Sequence, residues 1–61
     1  MPNLSAKELT ALEDSLGGEQ NLVKKYQAMA AMCTDAKIKG ELEAAAAKHQ
    51  QHVNSLITFL Q

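Results

Sequence analysis

Residues 9–33 read LTALEDSLGGEQNLVKKYQAMAAMC and decide the fold, because apolar or small side chains recur there at intervals of three and four. The series comprises Leu9, Leu12, Leu16, Val23, Tyr26, Ala30 and Cys33, with the polar Glu19 at the position between Leu16 and Val23 that keeps the spacing. Such intervals are typical of the seam of a helix that packs against another helix. Upstream of the series, Ser5 and Glu8 have the spacing of a capping box. We therefore expect a first helix over about residues 6–33.

Two consecutive glycines, Gly17 and Gly18, lie inside this predicted helix. Each costs about 1 kcal/mol in a helix interior, so a break at this point has to be considered. The apolar series keeps its phase across the pair, however, and this favours one long helix. The glycines fit either a close approach by a neighbouring helix or a tolerated weak point, and the sequence leaves both readings open.

A second helix is predicted after a very short connection, because Thr34 and Asp35 are both good N-cap residues. Its seam comprises Ile38, Leu42, Ala45, His49, His52, Leu56 and Phe59, and we expect the helix to span about residues 36–60. A short connection makes consecutive helices antiparallel neighbours. The predicted fold class is thus all-α, an antiparallel two-helix hairpin forming a single domain over residues 1–61.

The apolar stripe on each helix is wider than one antiparallel contact can cover. Leu22 and Met29 widen it on the first helix, and Val53, Ile57 and Leu60 widen it on the second. A chain of 61 residues also buries little surface by itself. We therefore predict that two copies pair, as a homodimer or a higher homo-oligomer, and complete a four-helix bundle.

Composition argues against nucleic-acid and membrane partners. The six basic residues are all lysines spread along the chain, and Tyr26 and Phe59 are the only aromatic residues. Phosphate and base recognition favour clustered positive charge, arginine and aromatic stacking. The longest apolar run is the four alanines of residues 44–47, far short of a membrane span of roughly 20 residues. The sequence favours a protein that binds neither.

The expected location is the cytoplasm, as a soluble protein. Cys33 is the lone cysteine, which indicates a reducing compartment and most simply a small apolar side chain near the turn. The first nine residues lack the basic cluster and apolar run of a signal peptide.

Glu19, His49 and His52 occupy seam positions at which apolar residues are expected. In a hairpin that turns near residues 34 and 35, residues that lie side by side have numbers that add up to about 70. Glu19 therefore lies opposite position 51, between the two histidines along the helix axis. Buried without partners, these groups would cost several kcal/mol. Two interpretations remain open: a hydrogen-bonded polar layer that fixes register, or a metal site for zinc or iron, with copper or nickel also compatible with imidazole.

No pairing of a nucleophile with a base, phosphate-binding loop or cysteine zinc pattern occurs in the sequence, so no catalytic residue is predicted. Tyr26 is expected to be a core residue with its hydroxyl at the edge.

Four short motifs carry a family resemblance: residues 12–13 (LE), 19–26 (EQNLVKKY), 33–35 (CTD) and 49–52 (HQQH), followed by Leu56. Together they resemble ferritin-like proteins of spore-forming bacteria, particularly the small spore coat protein F-like family. The resemblance implies half of a ferritin-like four-helix bundle and a place in the spore coat. The resemblance further implies the di-metal site of ferritin-like bundles, which uses a glutamate from a first helix and a Glu-x-x-His pair from the next, repeated in the other half. Glu19 and His52 match the first glutamate and the histidine, whereas His49 stands where the second glutamate belongs.

Three functions follow, in this order. The first is a non-catalytic structural or assembly protein associated with the spore coat. The second is a metal-binding bundle that uses Glu19, His49 and His52 from each subunit. The third is a di-iron oxidase, which the missing carboxylate disfavours.

Overall fold

The computed structural model describes residues 4–60 as two antiparallel helices in a hairpin. Helix α1 spans Ala6–Met32 and helix α2 spans Ala36–Ile57, followed by a short 3-10 turn at Thr58–Leu60. No strand occurs among these residues. The predicted all-α hairpin is therefore confirmed. The predicted domain also includes residues 1–3 and 61, which lie outside the described part of the chain.

Both helix starts are fixed by side-chain caps. The Ser5 hydroxyl accepts the Glu8 N–H at 3.1 Å, and the Ser5 N–H donates to the Glu8 carboxylate at 3.0 Å, which completes the predicted capping box. Asp35, rather than Thr34, caps α2 by accepting the Ile38 N–H at 2.9 Å. Each contact satisfies a backbone donor that has no partner within its helix, and each therefore defines where its helix begins.

Helix α1 continues unbroken through Gly17 and Gly18, as the phase of the apolar series predicts. Neither glycine has a positive φ, and a Cβ added at either one would meet no atom within 4 Å beyond the neighbouring residues and backbone of α1 itself. Within the hairpin, the glycines are therefore not required by backbone conformation or by the packing of α2.

The core between the helices is small. Within residues 4–60, four side chains are buried, two from each helix: Val23, Ala30, Ala46 and Val53. The sequence placed Ala45 on the seam, but Ala46 is buried and Ala45 only half-buried. The contact line of α2 thus runs closer to Ala46 and Val53 than the seam predicts.

Three of the apolar residues predicted on the seams are exposed in the hairpin. Leu9, Ile38 and Phe59 are 37%, 51% and 49% exposed. Seam spacing gives the face of a helix but not how far a single neighbour covers that face. One partner helix leaves the ends and flanks of both stripes uncovered, together with the nearby Met29, Met32 and Leu60.

The hairpin is elongated, with extents of 46 × 16 × 11 Å and a radius of gyration of 14.3 Å. A compact domain of this length has a radius of gyration of about 10.5 Å. The accessible surface is 4565 Å². A compact monomer of 6.6 kDa would expose about 3,900 Å². The single hairpin therefore exposes roughly 700 Å² more surface than its mass requires.

No helix in residues 4–60 combines the length and the apolar content needed to cross a bilayer.

Candidate metal centre

The three polar seam residues meet at the middle of the hairpin. Glu19 has thirteen residues of α1 on either side of it. His49 and His52 lie three residues apart on α2 and so project from one face of that helix. The antiparallel register places the glutamate between the two histidines along the helix axis, as the residue numbers on either side of the turn predict.

Each carboxylate oxygen of Glu19 contacts a different histidine. Oε1 lies 2.6 Å from Nδ1 of His49, and Oε2 lies 2.5 Å from Nδ1 of His52. An ionised carboxylate only accepts hydrogen bonds, so both histidines donate through Nδ1–H in this arrangement. Both separations are short even for a charge-assisted hydrogen bond, which is about 2.7–2.9 Å.

The cluster is partly covered, and the cover is uneven. The side chains of Glu19 and His49 are 20% and 23% exposed, whereas that of His52 is 47% exposed. The sequence placed all three on the seams, and the single hairpin leaves one of them, His52, exposed. His52 faces the side that α1 leaves open, because a single partner helix covers only part of the stripe on α2.

The hydrogen bond from His49 is the largest cause of a lowered pKa at Glu19. Partial desolvation opposes it by raising the pKa, and the contact with His52 adds to the lowering. The net effect is that the Glu19 carboxylate stays ionised at pH values below those at which glutamate is ordinarily protonated. An anionic group therefore persists at the centre of the hairpin.

Tyr26 packs against one histidine ring. Its ring stacks on the imidazole of His49, with centroids 5.6 Å apart and planes 8° from parallel. His52 meets His49 edge to face, with centroids 5.5 Å apart and an interplanar angle of 87°. The sequence placed Tyr26 in the core but gave no sign of this contact, because ring stacking depends on rotamers that helical spacing leaves free.

An open groove borders the cluster on the side of His52. It is lined by Ser15, Gly18, Glu19, His52, Ser55 and Leu56. Small side chains form much of this lining, so the groove gives access to the two donor residues in it. Ser15, Gly18 and Ser55 were not predicted as site residues, since small residues at an exposed helix edge carry no chemical signal in the sequence.

The donor atoms of Glu19, His49 and His52 all lie within 4.8 Å of one another. Donors that share one first-row metal ion at bond lengths of about 2.0–2.2 Å lie about 2.9–3.4 Å apart. To share an ion, the two Nδ1–Oε separations would have to lengthen by about 0.3–0.9 Å, and the widest donor separation, up to 4.8 Å, would have to shorten. The Nδ1 lone pairs would then bind the metal, and each ring proton would move to Nε2.

The donor set does not fit a ferritin-like di-metal centre. Such a site requires a second carboxylate, and the position three residues before His52 holds His49 instead. Aligning His49 as the histidine places Ala46 at the carboxylate position, and Ala46 is buried between the helices. Comparison of the chain with protein-family models, with curated proteins and with solved structures found no match.

Proposed function

We propose that this chain is a non-catalytic assembly protein that pairs with a second copy as a four-helix bundle and binds a divalent transition metal, zinc or iron, through Glu19, His49 and His52. The convergence of the three donor groups within 4.8 Å carries the metal-binding part. One carboxylate and two imidazoles form a donor set that suits zinc and ferrous iron.

The surface of the single hairpin supports pairing. Its surplus of roughly 700 Å² over a compact monomer approaches the 800 Å² or so that each partner buries in a standard protein interface. Large apolar side chains contribute to that surface, among them Met29, Ile38 and Phe59. A second hairpin would remove them from water.

A purely structural layer is the second candidate, and one observation favours it. Glu19 already accepts hydrogen bonds from both histidines, and among residues 4–60 no buried side-chain nitrogen or oxygen lacks a partner. Such a network can fix the register of two helices without an ion. The two candidates predict the same hairpin and differ only in metal content.

Metal analysis of the purified full chain separates them. The protein is stripped with a chelator, titrated with zinc chloride by calorimetry, and compared with His52→Ala and Glu19→Gln. Metal binding predicts a saturable signal that both substitutions remove. Gln51→Ala and Glu13→Gln serve as matched controls, since Gln51 and Glu13 are exposed helical positions outside the cluster. Zinc binding no tighter than in His52→Ala would leave the structural layer as the better account.

Sedimentation equilibrium tests the pairing independently. We expect a dimer or a larger even-numbered oligomer at micromolar concentration. A monomer that retains full helicity by circular dichroism would contradict the four-helix bundle, whatever the metal analysis shows.

The resemblance to ferritin-like spore coat proteins remains a prediction, and the proposal does not depend on it. The missing second carboxylate disfavours the oxidase reading. Consumption of oxygen by the stripped protein after addition of ferrous iron, above that of a buffer blank and of Glu19→Gln, would overturn the non-catalytic part of the proposal.

A further inference from the structure

The two faces of the hairpin differ in chemistry. The groove on one side is lined by Gln20, Lys24, Gln27 and Gln50, with Val23 and Val53 at its base. The other side carries the groove beside Glu19 and His52, where Leu56 and small residues dominate. The first side also has an alanine-lined groove, but Gln27, Lys39, Glu43 and Gln50 border it. The second face therefore suits cover by another hairpin better. The Glu–His cluster therefore lies on the face that a second copy would cover.

The position of the cluster along the hairpin decides what it would meet there. Glu19 is the midpoint of α1. Two identical hairpins that overlap fully about a twofold axis bring their midpoints together at that axis. A second copy would thus place its own cluster opposite the first, near the centre of the interface.

Charge makes this meeting unfavourable without a cation. With neutral imidazoles, each cluster carries the single negative charge of the Glu19 carboxylate, which accepts a hydrogen bond from each histidine. Two such clusters would place two like charges in a dehydrated interface, which costs free energy. One divalent cation between them brings the total charge to zero.

The number of donor residues also favours one ion shared by two chains. One chain offers three donor residues, and metal sites that are not left open to solvent have at least four protein ligands. A second copy is the nearest source of further carboxylate and imidazole donors.

Resting on the proposed function, we infer that two copies of this chain share one divalent metal ion at the twofold axis, so that metal binding and dimerisation strengthen each other. A second copy occupies the apolar face, and the ion neutralises the two Glu19 charges that would otherwise repel each other there. By linkage, an ion that binds the dimer in preference to the monomer tightens the dimer by the same factor.

The experiment combines two measurements on the stripped full chain. Sedimentation equilibrium gives the dimer Kd in chelator and in saturating zinc chloride, and calorimetry gives the zinc endpoint per chain. We expect zinc to lower the dimer Kd by about 5- to 150-fold, the usual range for coupled binding. The expected endpoint is about 0.5 zinc ions per chain, as one ion per twofold dimer requires.

Glu19→Gln should change the dimer Kd in chelator in the direction opposite to the one expected if Glu19 merely stabilised the interface. Removing the charge should lower the dimer Kd in chelator, because two anionic groups no longer meet, and should abolish the effect of zinc. His52→Ala should also abolish the effect of zinc, while Gln51→Ala should leave it unchanged. Circular dichroism confirms that each variant retains its helices.

The outcomes separate this inference from the proposed function. An endpoint of one zinc ion per chain, or a dimer Kd that zinc does not change, overturns the shared ion and leaves metal binding intact. Absence of zinc binding overturns both. Weaker dimerisation of Glu19→Gln in chelator would show that the carboxylate stabilises the interface by itself, and this also overturns the inference.

Discussion

Gly18 and Gly40 provide a matched pair of sites that test the fold and the interface together. Both lie inside helices, neither has a positive φ, and a Cβ added at either one meets nothing within 4 Å in the hairpin. Alanine at such a site gains about 1 kcal/mol in helix propensity. For a domain of 60–100 residues, 1 kcal/mol corresponds to a rise of about 4–8 °C in Tm.

The two positions differ in what lies outside the hairpin. Gly18 lines the groove beside Glu19 and His52, on the face that we propose a second copy covers. Gly40 is exposed, and its spacing from the seam residues Ile38 and Leu42 places it on the outer side of α2. Gly40→Ala should therefore stabilise the protein by the full amount at every protein concentration.

Gly18→Ala should behave differently at low and high concentration. Where the chain is monomeric, it should raise the Tm as much as Gly40→Ala does. Where the chain is dimeric, the added methyl group enters a closely packed interface, and we expect the gain to shrink or to reverse. Thermal unfolding followed by circular dichroism, over a hundredfold range of concentration, measures both effects.

Two results would refute this reasoning. If Gly40→Ala fails to stabilise the chain, α2 is not continuous through residue 40 as described. If Gly18→Ala and Gly40→Ala give equal gains at all concentrations, no helix packs closely against Gly18, and the proposed interface is misplaced.

Three further predictions concern the core, the caps and acid. Val53→Ala removes two buried carbon atoms and should lower the free energy of unfolding by about 2 kcal/mol, measured by urea titration. Ser5→Ala and Asp35→Ala should each cost about 1 kcal/mol in the same assay, whereas Thr34→Ala should cost little, since Asp35 supplies the cap. The pKa of Glu19 lies below its ordinary value of 4.5, so ionisation of Glu19 stabilises the folded chain. This stabilisation is fully present above pH 4.5 and is lost as the pH falls through the lowered pKa. In chelator, at a concentration at which the chain is monomeric, the native protein should therefore lose more stability than Glu19→Gln between pH 6 and 3, and parallel losses would contradict the contacts at Glu19.

The course of the two helices could be predicted because their signals are local. A capping box at Ser5, a short polar connection ending in Asp35, and an apolar series that keeps its phase across Gly17 and Gly18 each act within a few residues. The height at which Glu19 meets the histidines follows from the position of the turn alone. These features need no knowledge of how the helices are rotated about their axes.

The features that could not be predicted from the sequence depend on the rotation of α2 about its axis and on side-chain rotamers. The burial of Ala46 in place of Ala45, and the exposure of His52, both depend on the angle at which α2 faces α1. The stacking of Tyr26 on His49 and the use of Nδ1 by both histidines depend on side-chain torsions. Seam spacing constrains neither, so the sequence placed the three donors at one level without defining their geometry.

The choice of residues at the midpoint itself favours an ion over a polar layer. A neutral pair, such as two asparagines, specifies the register of packed helices without bringing a charge into the interface. Glu19 brings a charge, and its pKa is held low by the hydrogen bond from His49, so that the charge is not easily removed by protonation. The imidazoles that hold it are also good transition-metal ligands, and His52 keeps nearly half of its side-chain surface exposed, on the face where we propose that a second copy packs. A layer that served register alone would gain stronger hydrogen bonds from the charge but nothing from the open side of His52. A site that recruits a cation as two copies close would need both.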